Sequence, residues 1–167
     1  MNWYVFYTCP RTEKVVYKEL IYKGYEVFLP AFKTLSYWKN RQKKMIEKVL
    51  FPGYIFVYTE PFELYNISRT PKVVNYINFA GKPSVVPQKD IEAIKMMLSL
   101  PQDVTVETDF YEGDRVKIMY GPLAGYEGIL IKQKGKSKFG IQIRDINQTV
   151  FIEIKTQVLE KLNIKCA

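Results

Sequence analysis

The chain has no histidine and only two cysteines in 167 residues. Histidine most often carries general acid–base work near neutral pH, so no Ser–His or Cys–His nucleophile pair can be built. Cys9 and Cys166 stand near opposite ends without CxxC spacing, and no histidine exists to complete a zinc site. No metal and no cofactor is expected. A disulfide does not suit a cytosolic chain, which leaves two inert thiols. No run of eighteen apolar residues occurs, so nothing is expected to span a membrane. MNWYVFYTCPR has no basic segment ahead of its apolar stretch and reads as a strand rather than a signal peptide, which makes the cytoplasm the expected compartment. Carboxylates are scattered singly. The nearest groups, Glu107 with Asp109 and Glu112 with Asp114, fall where a linker and a strand start are expected, and chance spacing on a solvated surface explains them. A metal-dependent nuclease is disfavoured, and no catalytic site is read.

What the chain does have is positive charge and aromatic surface. Net charge is +8 and the sequence pI is near 9.3, which favours a polyanionic partner through phosphate neutralisation and counterion release. A basic surface without a specific partner remains the alternative. Thirteen tyrosines and ten phenylalanines add to the case for binding, because aromatics supply contact area at low entropic cost.

Residues 2–8, NWYVFYT, read as a buried strand. Pro10 and Arg11 open a helix whose stripe is Glu13, Val16, Tyr17, Leu20 and Ile21, with Gly24 placed as its C′ residue. YEVFLP, 25–30, is a second strand. Between Ala31 and Leu50 the cations Lys33, Lys39, Arg41, Lys43, Lys44 and Lys48 face one acid, Glu47, with Tyr37 and Trp38 interleaved. This segment reads as a projecting hairpin with its tip near Lys39–Lys43; a solvated loop and a nucleic-acid or polymerase contact both fit it. FPGYIFVYT, 51–59, is a strong strand entered through a Pro-Gly turn. FELYNISRT offers a short helix stopped by Pro71, and VVNYINFAG, 73–81, another strand. Pro87 begins a helix with Asp90 in its first turn and an apolar stripe of Ile91, Ile94, Met97 and Leu98. Residues 1–100 thus read as an antiparallel sheet with flanking helices. The polar stretch 101–110 reads as a linker. Strands expected at 114–119, 126–133, 138–143, 149–154 and 157–162 make residues 111–167 a small SH3-like β-barrel, and the whole chain an α+β protein.

Four of the nine glycines lie at Gly113, Gly121, Gly125 and Gly128. A small barrel turns its first two strands over a tight loop, where glycine permits positive φ and close backbone approach. Gly121 and Pro122 begin that loop, Leu123 is expected at its exposed tip, Gly125 returns it, and Gly128 sits where a side chain would crowd. The pattern G-D-x-V-x-I-x-x-G-P-L-A-G-x-x-G resembles a KOW motif. WYVFYTCPRTEKVVYKEL, LFPGYIFV, ISRTPKVVNYINFAGKP and VPQKDIEAI resemble, in order, the segments of the NusG N-terminal domain. The chain is therefore similar to NusG-family transcription factors, and the spacing around LFPGYIFV and INFAGKPSVVP is closer to the specialised RfaH and UpxY paralogues.

The resemblance implies a monomeric elongation factor that suppresses pausing and termination on selected long operons, such as those for capsular polysaccharide. It implies RNA polymerase as partner, through the clamp helices of the large β′ subunit and the gate loop of β. The polymerase-binding patch it implies is Tyr7, Phe51, Pro52, Tyr54, Phe56 and Met97, with core packing as the other reading of these residues. Contacts to the non-template DNA strand or nascent RNA are implied at Arg11, Lys14, Lys18, Tyr22, Tyr65, Asn66, Arg69 and Lys72, with Lys39, Arg41, Lys43 and Lys44 of the hairpin as further candidates. A ribosomal protein or termination factor is implied as partner of the KOW domain. The His-Thr-Thr gate-loop contact of RfaH is absent, since Glu63, Leu64 and Tyr65 stand there, and Cys9 and Val15 replace base-reading basic residues, so any DNA specificity differs. A KOW-type RNA-binding protein of the ribosome is the alternative; it accounts for the charge and the barrel but leaves LFPGYIFV unexplained.

Overall fold

The computed structural model describes residues 1–39, 41–101, 104–107, 113–155 and 159–161. Within it lie two compact units, Met1–Val86 and Pro87–Ala167. Cys166, Asp109 and Glu112 lie outside the described residues.

The first unit is built around strand β1 (Asn2–Thr8), in which Trp3, Tyr4, Val5 and Phe6 are all buried. A run buried on both faces explains why β1 shows no polar alternation. β5 (Tyr54–Thr59) pairs along one edge, with Tyr4 opposite Val57 and Phe6 opposite Ile55. β6 (Val73–Tyr76) and β9 (Val85–Val86) share the other edge, and β2 (Glu26–Phe28) lies outside β5, all antiparallel. One face of this sheet forms a core of Tyr4, Phe6, Ile55 and Val57 with Val16 and Leu20 of helix α1 (Glu13–Tyr22) and Leu64 and Ile67 of helix α2 (Leu64–Ser68). The opposite parity places Val5 and Phe56 as cross-strand partners on the other face, where Phe56 meets Phe51 and Phe28 at ring-centroid distances of 5.7 and 6.0 Å.

Helix α1 begins at Glu13, later than Pro10–Arg11, because Arg11 takes the left-handed conformation (φ 62°) and Thr12 spends its hydroxyl on the Cys9 carbonyl. Its end follows the expectation. Gly24 (φ +89°) donates to the Ile21 carbonyl and Tyr25 to that of Leu20, the paired bonds of a Schellman stop. β3 (Ala31–Tyr37) and β4 (Lys43–Val49) form a separate two-stranded sheet, with Tyr37 opposite Lys43, as a projecting hairpin requires. The strand expected over 73–81 is instead divided. β6 ends at Tyr76, and β7 (Asn78–Phe79) folds onto β8 (Lys82–Pro83) over Ala80 and Gly81, both at positive φ, the signature of a two-residue primed turn.

The second unit opens with helix α3 (Gln88–Ser99) and continues into a six-stranded antiparallel sheet. Its strands are β10 (Thr105–Glu107), β11 (Asp114–Ile118), β12 (Glu127–Gln133), β13 (Lys136–Ile143), β14 (Gln148–Glu153) and β15 (Leu159–Lys161), in the order β10-β14-β13-β12-β11-β15. Two expectations change here. The stretch 101–110 is not all linker, because Thr105–Glu107 pair with Phe151–Thr149 of β14. The first compact unit closes at Val86 rather than near 100, because α3 packs on β13. Lys134 and Gly135, both at positive φ, make the two-residue turn between β12 and β13. Val116, Ile118, Phe139, Ile141, Val150, Phe151 and Ile152 are buried along these strands.

Candidate docking and nucleic-acid interface

The Phe51–Tyr54 segment is a β-turn whose sequence meets its geometry. Tyr54 N–H donates to the Phe51 carbonyl at 3.1 Å, Pro52 occupies the second position, and Gly53 the third with φ +85°. Both peptide groups of Gly53 are held from elsewhere. Its carbonyl accepts Thr8 N–H at 2.8 Å, and its N–H donates to Glu13 Oε1 at 2.8 Å. The Tyr7 ring lies against Gly53, where an added Cβ would stand 3.0 Å from a ring carbon. Tyr7 and Tyr54 are cross-strand partners with ring centroids 5.5 Å apart. Tyr7 is 39% exposed, Tyr54 is half-buried and Pro52 is exposed.

Three of the six residues expected in the polymerase patch therefore come together: Tyr7, Pro52 and Tyr54. The other three do not. Phe51, Phe56 and Met97 have no accessible surface. Phe51 and Phe56 pack edge to face in the first unit, and Met97 lies on the buried stripe of α3 with Ile91 and Ile94. Glu13 belongs to this site and carries no role in the sequence reading. An acid on the apolar stripe of α1, beside Val16 and Leu20, was the available signal.

The twelve residues expected to meet nucleic acid are all exposed. Arg11 and Lys72, both at positive φ, lie on loops joined by the Cys9 N–H bond to the Lys72 carbonyl at 2.9 Å. At the end of α2, Arg69 sits 5.7 Å from the Tyr65 ring centroid, and Asn66 Nδ2 donates to Glu63 Oε2 at 3.2 Å. The same carboxylate oxygen accepts the Tyr25 hydroxyl at 2.8 Å; burial first, then Glu63, pushes that phenol above its ordinary pKa. Lys43 lies 5.8 Å from the Tyr37 ring on the hairpin. Lys14 departs from the expectation of a free phosphate contact. Its ammonium donates to Glu47 Oε2 at 2.8 Å and to the Glu47 carbonyl at 3.2 Å, bracing α1 against β4. That ammonium holds the Glu47 carboxyl below its usual value. Leu64, in the segment where RfaH has its gate-loop contact, is buried in the core.

In the second unit, Gly121 and Gly125 adopt φ +92° and +90°, and Gly125 N–H donates to the Ile118 carbonyl at 2.7 Å. A Cβ on Gly128 would collide with the Gly140 carbonyl and the Phe139 ring. Gly121 and Pro122 are exposed, but Leu123 is only 5% exposed and is not the loop's exposed tip. Its carbonyl accepts Tyr126 N–H at 3.2 Å, so the loop folds inward over it. Met119 and Tyr120, overlooked in the sequence, are the exposed apolar residues here. They adjoin an open cavity of about 770 Å³ lined by Leu100, Tyr120, Pro122, Leu123 and Ile152 among others.

Among the described residues no three His, Cys, Asp or Glu side chains gather as a metal site, and no helix is long and apolar enough to cross a membrane. Fold and site together define a two-unit protein of mixed α and β structure with antiparallel sheets and exposed basic and aromatic residues. A family model described as transcription termination factor nusG matches residues 1–95. The chain belongs to the NusG family of transcription termination/antitermination factors. It is 25% identical to the transcription termination/antitermination protein NusG of Halalkalibacterium halodurans, covering 96% of this chain and 98% of that one. The Bacillus subtilis protein of the same name is 26% identical over the same shares. That of Streptococcus pyogenes is 30% identical over 78% of this chain and 80% of its own length. Among solved structures, NusG of Thermotoga maritima shares the fold at a TM-score of 0.52 and 22% identity, with 97% of each chain covered.

Proposed function

We propose that this chain docks on RNA polymerase and suppresses pausing and termination on selected long operons, such as those for surface polysaccharide. The observation that carries the docking reading is the Tyr7–Pro52–Tyr54 surface, clamped through Gly53 and presented by the unit that the family model matches. A half-exposed tyrosine pair held on a rigid turn suits an interface, since aromatic anchors contribute most when they are preorganised. Docking is assigned to the first sheet and its turn, with the β′ clamp helices as the proposed partner surface. The exposed residues Arg11, Lys18, Tyr22, Arg69 and Lys72, with the 39–44 hairpin, are assigned to the non-template DNA strand or nascent RNA. The second sheet is assigned the SH3-like barrel and KOW role, meeting a ribosomal protein or termination factor beside Tyr120 and Pro122. The protein acts as a monomer in the cytoplasm. The specialised role rests on the spacing around LFPGYIFV and INFAGKPSVVP. A ribosomal RNA-binding role is not favoured, because it leaves the first unit without a use.

Tyr54→Ala tests the docking assignment. The variant should fold and lose polymerase affinity, by about 2 kcal/mol for an interface-centre aromatic. A folded variant with wild-type affinity removes this surface from the interface. Chromosomal occupancy tests the specialised role: confinement to a few long operons supports it, and even occupancy across transcribed genes refutes it.

A further inference from the structure

We propose that Glu13 is a positioning residue for the docking turn: its buried carboxylate sets the orientation of Pro52 and Tyr54 by accepting the Gly53 N–H. This rests on the docking reading given above. Glu13 is 6% exposed and lies in the first turn of α1, between the loop at Arg11 and the core residue Val16. Among the described residues it forms no ion pair, so no surface cation explains its charge. Burying a carboxylate for packing alone is unfavourable, and an apolar residue would fill the stripe better. The charge-assisted bond to Gly53 N–H at 2.8 Å and the positive end of the helix dipole together offset that desolvation.

The bond falls on the central peptide of the turn, Pro52–Gly53. Its internal bond, Tyr54 N–H to the Phe51 carbonyl, leaves the Gly53 N–H unused. Thr8 of β1 fixes the Gly53 carbonyl, and Glu13 of α1 fixes the N–H, so two elements hold the two peptides on either side of the Gly53 Cα. Tyr7 packs on the same glycine, which has no side chain to push the ring away. Without the carboxylate the Pro52–Gly53 peptide is free to rotate, and a turn that rotates presents its anchor only part of the time. Apparent affinity then falls by the fraction of molecules in the competent geometry.

The experiment compares Glu13→Ala, Glu13→Asp and Glu13→Gln with Tyr54→Ala in the full chain. It reads Gly53 amide exchange by NMR and affinity for core RNA polymerase. Asp keeps the charge but is one carbon too short, whereas Gln keeps the reach and an acceptor oxygen. Ala and Asp should each accelerate Gly53 exchange and weaken polymerase binding by about tenfold, the scale of one charge-assisted hydrogen bond. Amide protection along β1 and β5 should persist in the Asp variant, which keeps the comparison valid if the Ala variant does not fold. Gln, a neutral acceptor of the same reach, should restore both readouts in part. Faster Gly53 exchange with unchanged affinity in the Asp variant, while Tyr54→Ala does lose affinity, overturns the positioning role and leaves the docking reading standing. Unchanged affinity in Tyr54→Ala overturns both.

Discussion

Thr8 is buried, and its hydroxyl is without a hydrogen-bond partner among the described side chains. A buried hydroxyl left unsatisfied costs about 1–3 kcal/mol, and valine has nearly its shape and a better strand propensity. Thr8→Val should therefore stabilise the chain by about 1 kcal/mol, read as a higher urea midpoint with unchanged slope. A lower midpoint would mean that the hydroxyl is satisfied in solution. Leu123 behaves in the opposite sense. Buried beneath the Gly121–Gly125 loop, it should cost about 2–3 kcal/mol on truncation to alanine. A Leu123→Ala chain with wild-type unfolding would return this residue to the exposed tip that its sequence context suggests. Single residues were the least legible level of this protein. Phe51, Phe56 and Met97 are as suitable for an interface as for a core by composition, and only neighbours distant in sequence decide between the two.

Elements are more legible than single residues wherever a local signal sets their ends. Gly24 stops α1, Pro52-Gly53 turns into β5, and the basic segment folds back as the β3–β4 hairpin. Pattern and structure part where the deciding contact is long-range. Thr105–Glu107 carry no strong pattern and become a strand by pairing with β14. The β12 glycine gives the sharpest test at this scale. Gly128→Ala would drive a methyl into the Gly140 carbonyl and the Phe139 ring, forcing β12 away from β13. Overpacking of this kind costs about 1–3 kcal/mol or more, so the second unit should melt earlier while the amides of β1 and β5 keep their protection. Wild-type melting of Gly128→Ala would show that the strands separate there at no cost. Gly125 is a different case: a Cβ there meets open space, and its φ of +90° makes Gly125→Val a test of backbone strain alone.

At the scale of the whole molecule, the charge of +8 sets how the protein meets polyanions. Binding to transcription complexes should weaken with salt, and each lost phosphate contact should lower the log–log slope by about 0.7–0.9. Lys18→Ala should show that change. Lys14→Ala should show less, because the Lys14 ammonium is already engaged by Glu47. A larger slope change for Lys14 than for Lys18 would refute this division of the α1 face. Acid stability offers an independent check. Burial raises the Asp90 carboxyl above its ordinary 3.8, with Lys89 partly opposing it. The native state therefore binds this proton more readily than the unfolded chain, so the contribution is fully present below pH 3.8 and is lost as pH rises through the raised value. Asp90→Asn should flatten the melting temperature across that window and raise it slightly at neutral pH. An unchanged profile would place Asp90 in water.

By itself the sequence determined most of the strands and helices, the turns that need glycine, the basic hairpin and the order of segments that matches the family. These are local or additive properties, written in spacing and composition. Tertiary structure alone decided which aromatics face outward, that Lys14 answers Glu47 across 33 positions, and that Glu13 reaches 40 positions along the chain to Gly53. The physical reason is one of range. A side chain's intrinsic preference is the same wherever it stands, but its burial and its hydrogen-bond partner depend on which distant segment the fold brings against it.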